Sequence, residues 1–437
     1  MTRLEQTSQQ VYTVDGIGAA LAVRGLDLEQ LTRRMRTVSL ESDATGQIVG
    51  PPWRAHEVRA LNTNLVPTQH GGSATLQSLV AQTTLMACLG EADASLALAL
   101  PGPGLAMPPV VALASPQQQT RFFQRFQSGS PSWGAFAITE PDCGSDATAM
   151  RTSARKTDRG WVLNGTKCFI TNGARADCVI TFATVNRQIG RYGVRAFVVD
   201  RNVPGFTVSR IEQMAGLRAT QLAELSYTDC EVTDDALLSH GANRPLDDAF
   251  SGAQRSWDYF RPLLSGVMVG ACRRVRAELA AWLDAGGTPA NRHHRIASVK
   301  ASMLDIDRQI AAAWLICHCT AWKADRGLTT SLDSSMTKAF ASRVAARVTR
   351  AAMDLVGMDG IAACPALEQS YRDAKAFDIM EGTGDLQRLM VARAAHRSTE
   401  RPWDITHGPR NLPFTPESSI ALVHAPRSGQ EIPHDDA

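Results

Sequence analysis

The spacing of apolar residues changes period twice along this chain, and that constrains its fold more than any single motif. From about residue 10 to 130 the period is helical: Ile17, Ala20 and Leu21, then Leu28, Leu31 and Met35, share one face. The pattern resumes over 76–89, starts again at Glu91, and stops at Pro101-Gly-Pro-Gly104. Ser115-Pro116 reads as an N-cap followed by proline at the first helical position. Near Trp133 the pattern shortens to alternation. Residues 178–183, 194–200 and 225–232 read as strands, Pro204-Gly205 as a turn, and 160–173 as a hairpin turning at Asn164-Gly165. From about 246 the helical period returns, over 260–283, 296–323, 334–356 and 384–396. The expected fold class is α+β, mostly α. It comprises an N-terminal helical domain (1–130), a central antiparallel β domain (131–245) and a C-terminal four-helix bundle (246–397). The tail (398–437), rich in Pro, Ser, His and charge, is expected to be extended or disordered.

Composition excludes several classes of function. A net charge of +2 over 437 residues gives no footprint for nucleic acid or an anionic membrane. No apolar run spans a bilayer, and Met1-Thr-Arg-Leu-Glu-Gln is no signal peptide, so a cytoplasmic protein is expected. Nine cysteines, an odd number, argue against a disulfide framework. Cys317-His318-Cys319 has no partner pair at zinc-ligand spacing and is expected along a buried helix, with no metal.

Three stretches carry the residue types that chemistry needs. In Asp378-Ile-Met-Glu381-Gly-Thr383-Gly-Asp385-Leu-Gln-Arg388, Thr383 is a candidate N-cap and Asp385 lies in the first helical turn, where negative charge suits the dipole. Glu381 stands just before it with apolar neighbours, the setting of a raised pKa and a general base; the same residues also describe a solvated glutamate in a helix-entry loop. Phe136-Ala-Ile-Thr139-Glu-Pro-Asp-Cys-Gly-Ser145-Asp146 is a strand entering a turn rich in small donors and backbone amides, able to meet an anion or a heterocycle edge. Phe169-Ile-Thr171-Asn172 sets an aromatic wall beside a hydroxyl.

Taken together these stretches resemble the acyl-CoA dehydrogenase family. Residues 379–393 are similar to its C-terminal signature, 139–146 to its Thr-Glu-Pro-x-x-Gly-Ser-Asp loop, and 167–173 to its Trp/Phe-Ile-Thr-Asn stretch. Pro67-Thr-Gln-His-Gly-Gly72 and Ala92-Asp-Ala-Ser95 resemble its N-terminal helical domain. The resemblance covers roughly residues 15–397 and implies FAD as cofactor. It implies Glu381 as the base that removes the α-proton of an acyl thioester, with the thioester oxygen held by the Glu381 backbone amide and a flavin ribityl hydroxyl. It places Phe136, Thr139, Ser145, Phe169, Thr171, Thr383 and Asp385 against the cofactor, and Ser145, Asp258, Arg261 and Gly382 against the substrate. Gly216-Leu-Arg218-Ala-Thr220 resembles a turn of the β domain with an architectural role. Implied partners are acyl-CoA or an acyl-carrier protein as substrate, electron-transfer flavoprotein or oxygen as acceptor, and further copies of the chain in a homodimer or homotetramer.

Two stretches depart from the family pattern. The usual Arg-x-x-Phe-Gly, whose Arg reaches FAD of a neighbouring subunit, is replaced by Ala285-Gly-Gly-Thr-Pro-Ala-Asn-Arg292-His-His-Arg295. The usual Gln-x-x-Gly-Gly-x-Gly reads Asp354-Leu-Val-Gly-Met-Asp-Gly360, and an Asp beside a pyrophosphate would repel it. Two alternatives to the dehydrogenase follow: a flavin oxidase or monooxygenase on the same fold acting in biosynthesis, and a non-catalytic scaffold.

Overall fold

The computed structural model describes residues 13–73, 75–239, 249–287 and 296–397. The tail, Arg292 and Arg295 lie outside these. The N-terminal helices are α1 (Val14–Ala22), α2 (Leu28–Thr45), α3 (Val58–Asn62), α4 (Leu79–Ala92), α5 (Ala94–Ala99), α6 (Met107–Leu113) and α7 (Pro116–Gln124). Their starts follow from local chemistry. Asp27 Oδ1 accepts from Gln30 N at 3.0 Å, and Ser115 and Gln118 form a reciprocal capping box behind Pro116. Asp93 is extended, ends α4, and caps α5 through Leu96 N at 2.7 Å, so the second helix starts at Ala94 rather than Glu91.

Seven strands follow: β1 (Gly134–Ala137), β2 (Ser153–Thr157), β3 (Gly160–Ile170), β4 (Cys178–Thr184), β5 (Val194–Asp200), β6 (Phe206–Ile211) and β7 (Ala223–Val232). They form one sheet, β1-β4-β2-β3-β7-β6, with β5 also paired to β4. Most ladders are antiparallel as expected, but β1 runs parallel to β4, with Phe136 opposite Ile180. All seven residues of β4 are buried, because both its faces are covered. Cys178, Ile180 and Phe182 meet Val110 and Phe122 of α6 and α7, while Val179 and Ala183 share a second core with Leu225 and Tyr227.

The hairpin expected at Asn164-Gly165 does not form. β3 runs unbroken through both residues, and the pair makes a bulge against β7. Asn164 Oδ1 accepts from Asp229 N at 2.8 Å, and a Cβ on Gly165 would sit 2.6 Å from Thr152 Cα. The glycine serves close strand approach, not a turn. The reversal lies instead at Thr157–Gly160, between β3 and β2, which the alternation did not reveal.

The C-terminal helices are α8 (Ala249–Asp284), α9 (Ile296–Asp325), α10 (Ser331–Ala363), α11 (Pro365–Ile379) and α12 (Gly384–Arg397). α11 adds one to the four helices read from the period; Pro365 occupies its first turn. One core joins both ends of the chain, taking in Ile17, Leu31, Leu85, Val267, Val348 and Phe377. α4 and α8 touch backbone to backbone. A Cβ on Gly270 would lie 2.1 Å from Ala87 O, and one on Gly90 2.5 Å from Val267 O. The turn at 216–220 is architectural, as expected: Leu217 N donates to Asp373 Oδ1 of α11 at 2.5 Å and Ala219 N to Ser95 Oγ of α5 at 2.9 Å.

All nine cysteines are free. Cys317 is buried on α9, Cys319 is exposed, and His318 Nε2 lies 3.1 Å from Thr84 Oγ1; among the described residues no group could hold a metal. Among the same residues no helix is long and apolar enough to cross a membrane.

Candidate active site

A cavity of about 1300 Å³ opens between the sheet, α4, α5, α8 and the α11–α12 junction. Its wall brings together Phe136, Thr139, Ser145, Phe169, Thr171, Asp258, Arg261, Glu381, Gly382 and Thr383. Asp385 stands apart from it. Its side chain is 92 % exposed and pairs with Arg388 at 2.5 Å, so it only charges the first turn of α12.

Glu381 and Gly382 make the short turn from α11 to α12, and both take left-handed backbone, with φ of 55° and 84°. For a glutamate that conformation costs about 1–2 kcal/mol, so surrounding contacts must impose it. Thr383 Oγ1 accepts from Leu386 N at 3.2 Å and caps α12. The Glu381 carbonyl accepts from Arg261 Nε at 3.2 Å and Gln387 Nε2 at 3.3 Å. The flanking carbonyls of Asp378 and Gly382 accept from Lys338 Nζ at 3.0 and 2.7 Å. The carboxylate itself faces the cavity, with Oε2 buried and without a protein hydrogen-bond partner. Burial raises its pKa above the usual carboxylate range, while Arg261 and Lys338 pull the other way.

α8 meets this turn through Arg261, next to a proline inside the helix, Pro262. Proline has no N–H for the Asp258 carbonyl four residues back, and Ser334 Oγ donates to that carbonyl instead, at 2.8 Å. Arg261, only 4 % exposed, meets Glu381 O, Asp258 Oδ1 at 3.3 Å and Ser335 Oγ at 3.4 Å. It therefore braces the turn more than it faces solvent. Burial raises the Asp258 carboxyl, against the pull of Ser331 and Arg261.

The sheet supplies the opposite wall. A register shift between Lys167 and Ile170 puts Phe169 at φ 56° and swings its ring out of the strand, where it is 54 % exposed along the cavity. Thr171 follows beside it. The 139–146 loop is pinned from below by a fully buried pair: Lys167 Nζ donates to Glu140 Oε1 at 2.7 Å and to Ile138 O at 3.0 Å. Glu140 also accepts from Arg151 N at 2.6 Å and Thr152 N at 2.9 Å. Burial alone would raise this carboxyl, but Lys167 and the two amides outweigh it and hold it below the usual range. Thr139 is thus held next to a fixed anchor, and Ser145 is carried on the exposed part of the same loop.

These residues fit a flavin. An aromatic ring left open on a cavity wall, a neighbouring hydroxyl, and a buried Asn172 Oδ1 without a protein partner form an apolar slot with a few unmet polar atoms. Sequence reasoning missed Lys338, Ser335 and Gln387. Lys338 carried a signal: with Ser334, Ala341, Ser342 and Ala345 it lies on a helical face of small residues, where a lysine is out of place.

Comparison with known proteins agrees with this geometry. The family profile "Acyl-CoA dehydrogenase, middle domain" matches residues 135–230, and "Acyl-CoA dehydrogenase, C-terminal domain" matches 250–396. An acyl-CoA dehydrogenase of Bacillus subtilis is 34% identical over 291 residues, 65% of this chain and 74% of that protein. The mitochondrial short-chain specific acyl-CoA dehydrogenase of Rattus norvegicus is 30% identical over 297 residues, 66% of this chain and 69% of that protein. The solved butyryl-CoA dehydrogenase of Megasphaera elsdenii superposes with a TM-score of 0.76 at 26% identity, covering 85% of this chain and 97% of that one. With the helix–sheet–helix order, the carboxylate-bearing turn and the flavin-shaped slot already in place, these likenesses show that the chain belongs to the acyl-CoA dehydrogenase family of FAD-dependent oxidoreductases.

Proposed function

We propose that this protein dehydrogenates an acyl thioester, acyl-CoA or acyl-carrier protein, between its α and β carbons, with Glu381 as the α-proton base. One observation carries the reading: a glutamate forced into left-handed backbone turns an unpartnered, buried carboxylate oxygen into the cavity that Phe169, Thr171 and Ser145 line. FAD, held against Phe169, Thr171, Thr139 and Ser145, would supply the acceptor for the hydride that leaves the β-carbon. Glu381 takes the α-proton at the same stage, and the product is the trans-2-enoyl thioester. The Glu381 backbone N–H donates to the thioester oxygen, where negative charge builds as the α-proton departs. The apolar side chains around the carboxylate exclude water and strengthen both interactions. Thr139 and Ser145 hold the cofactor on the loop fixed by Lys167 and Glu140, while Asp258 lines the thioester end. An electron-transfer flavoprotein or oxygen would be the final electron acceptor.

Glu381→Gln tests the assignment. The variant is expected to keep FAD, with an unchanged visible spectrum, and to lose flavin bleaching when mixed anaerobically with a panel of butyryl-, octanoyl- and palmitoyl-CoA. Bleaching at the wild-type rate would show that another group takes the proton.

A further inference from the structure

We propose that Lys338 is a positioning residue for Glu381. Its ammonium group locks the turn that carries the carboxylate and supplies charge that keeps the carboxylate ionised. This rests on the assignment of Glu381 as base.

Lys338 sits about two turns into α10 with 0% exposure, a place lysine occupies only when its charge is answered. The answer is two carbonyls of one short turn, Gly382 O at 2.7 Å and Asp378 O at 3.0 Å. The Asp378 carbonyl lies in the last turn of α11 and so has no partner within its own helix. A cation there also answers the negative end of the helix dipole. The Gly382 carbonyl is directed inward by the positive φ of its residue. The two bonds grip the chain on either side of Glu381, while Arg261 of α8 and Gln387 of α12 hold the carbonyl of Glu381 itself. Three helices thus fix a turn that costs free energy to form, and Lys338 bonds to it on both sides of Glu381.

The electrostatics point the same way. Asp378 and Glu381 face Lys338 as anions, and Arg261 and Arg388 as cations. Burial brings the ammonium down to about 8, the two carboxylates opposing that fall, so it stays mostly charged at neutral pH. Glu381 is faced by Arg261 and Lys338, and both offset the burial that raises it. Removing either cation leaves a weaker acid and a carboxylate protonated over more of the working pH range.

Three variants, each loaded with FAD, separate positioning from mere structure. Lys338→Gln removes the charge but keeps a donor of similar reach. With the fastest acyl-CoA of the panel and a ferrocenium acceptor, its kcat is expected to fall about 10–100-fold while KM stays within about twofold. The acid limb of its kcat/KM profile is expected to move up by about one pH unit. Lys338→Arg keeps the charge but displaces the donors, so its acid limb should stay in place while kcat falls. Lys338→Met should behave like the glutamine variant with a larger kcat loss. An acid limb that does not move in Lys338→Gln overturns the proposal, as does Lys338→Arg with unchanged kcat or a shifted limb. Should the neutral variants fail to fold, Lys338→Arg alone still decides. Activity surviving in Glu381→Gln would instead remove the base assignment and leave the contacts of Lys338 as they are.

Discussion

Glu381 is a residue whose backbone and side chain make opposite demands. Its φ of 55° is unfavourable for a side chain, yet only that backbone turns the carboxylate into the cavity. Burial raises its pKa, and a glutamate in the proposed role of base works only when ionised. The expected pH dependence has a definite sign: kcat/KM rises with pH through that raised value and is lost below it. The acid limb is expected above the ordinary glutamate value of about 4.3. A pH profile from 4.5 to 9 on the FAD-loaded enzyme checks this, and a limb at or below the ordinary value would mean that burial does not govern the group. At this scale the sequence was legible where a motif names residues that the fold brings to one cavity wall, as at Glu381, Thr139 and Phe169. It was not legible where a residue acts through someone else's carbonyl. Arg261 lines the cavity, as expected of a pocket residue, but its bond to Glu381 O was not foreseen; Lys338 stood out only as a lysine on a face of small residues, with nothing to say what it binds. Such roles depend on which distant turn lies opposite, and no periodicity records that.

Among elements, β3 does the most to shape the site, through two irregularities. The bulge at Asn164-Gly165 lets the strand pass close to Thr152, and the second shift turns Phe169 outward. An Asn-Gly pair signals a backbone that needs freedom, and the reading as a hairpin chose the commoner use of it. β2 and β6 escaped notice because their outward residues, such as Arg155, Lys156, Ser209 and Arg210, leave too little apolar alternation to see. Long helices were read well, since their buried faces repeat over many turns. β3 also carries Lys167, whose pair with Glu140 anchors the 139–146 loop. Lys167→Met is expected to destabilise the protein by about 3–5 kcal/mol, because a buried carboxylate is left without its cation. Urea unfolding measures it, and FAD should be lost at lower urea than in the wild type. The α4–α8 contact makes a second demand of this kind. Gly270→Ala would press a methyl onto Ala87 O, 2.1 Å away, at a cost of about 1–3 kcal/mol, read as a lower Tm.

Across the whole molecule, the sheet and the helices must stay in register for Phe169 and the Glu381 carboxylate to line one cavity. The joint between them runs through Asp373. On α11, two turns before Glu381, it is 3 % exposed and accepts Leu217 N from the sheet's turn at 2.5 Å. Burial pushes its carboxyl up to about 8, Asp93 and Asp43 adding to the rise, Leu217 N and Arg372 opposing it. The folded state therefore binds a proton that the unfolded chain, with a carboxyl near 3.8, releases. That contribution to stability is complete below about 4 and is lost as pH rises toward 8. Asp373→Asn removes the titration but keeps an oxygen for Leu217 N. It is expected to unfold at higher urea than the wild type at pH 8.5, to match it near pH 4, and to flatten the stability curve between. Equal pH dependence in the two proteins would mean that Asp373 does not carry its proton in the joint. A larger loss at every pH in Asp373→Leu, which has neither the titrating group nor an acceptor for Leu217 N, would separate the hydrogen bond from the charge. Flavin retention in the same series would show whether a loosened joint also opens the slot between Phe169 and Glu381.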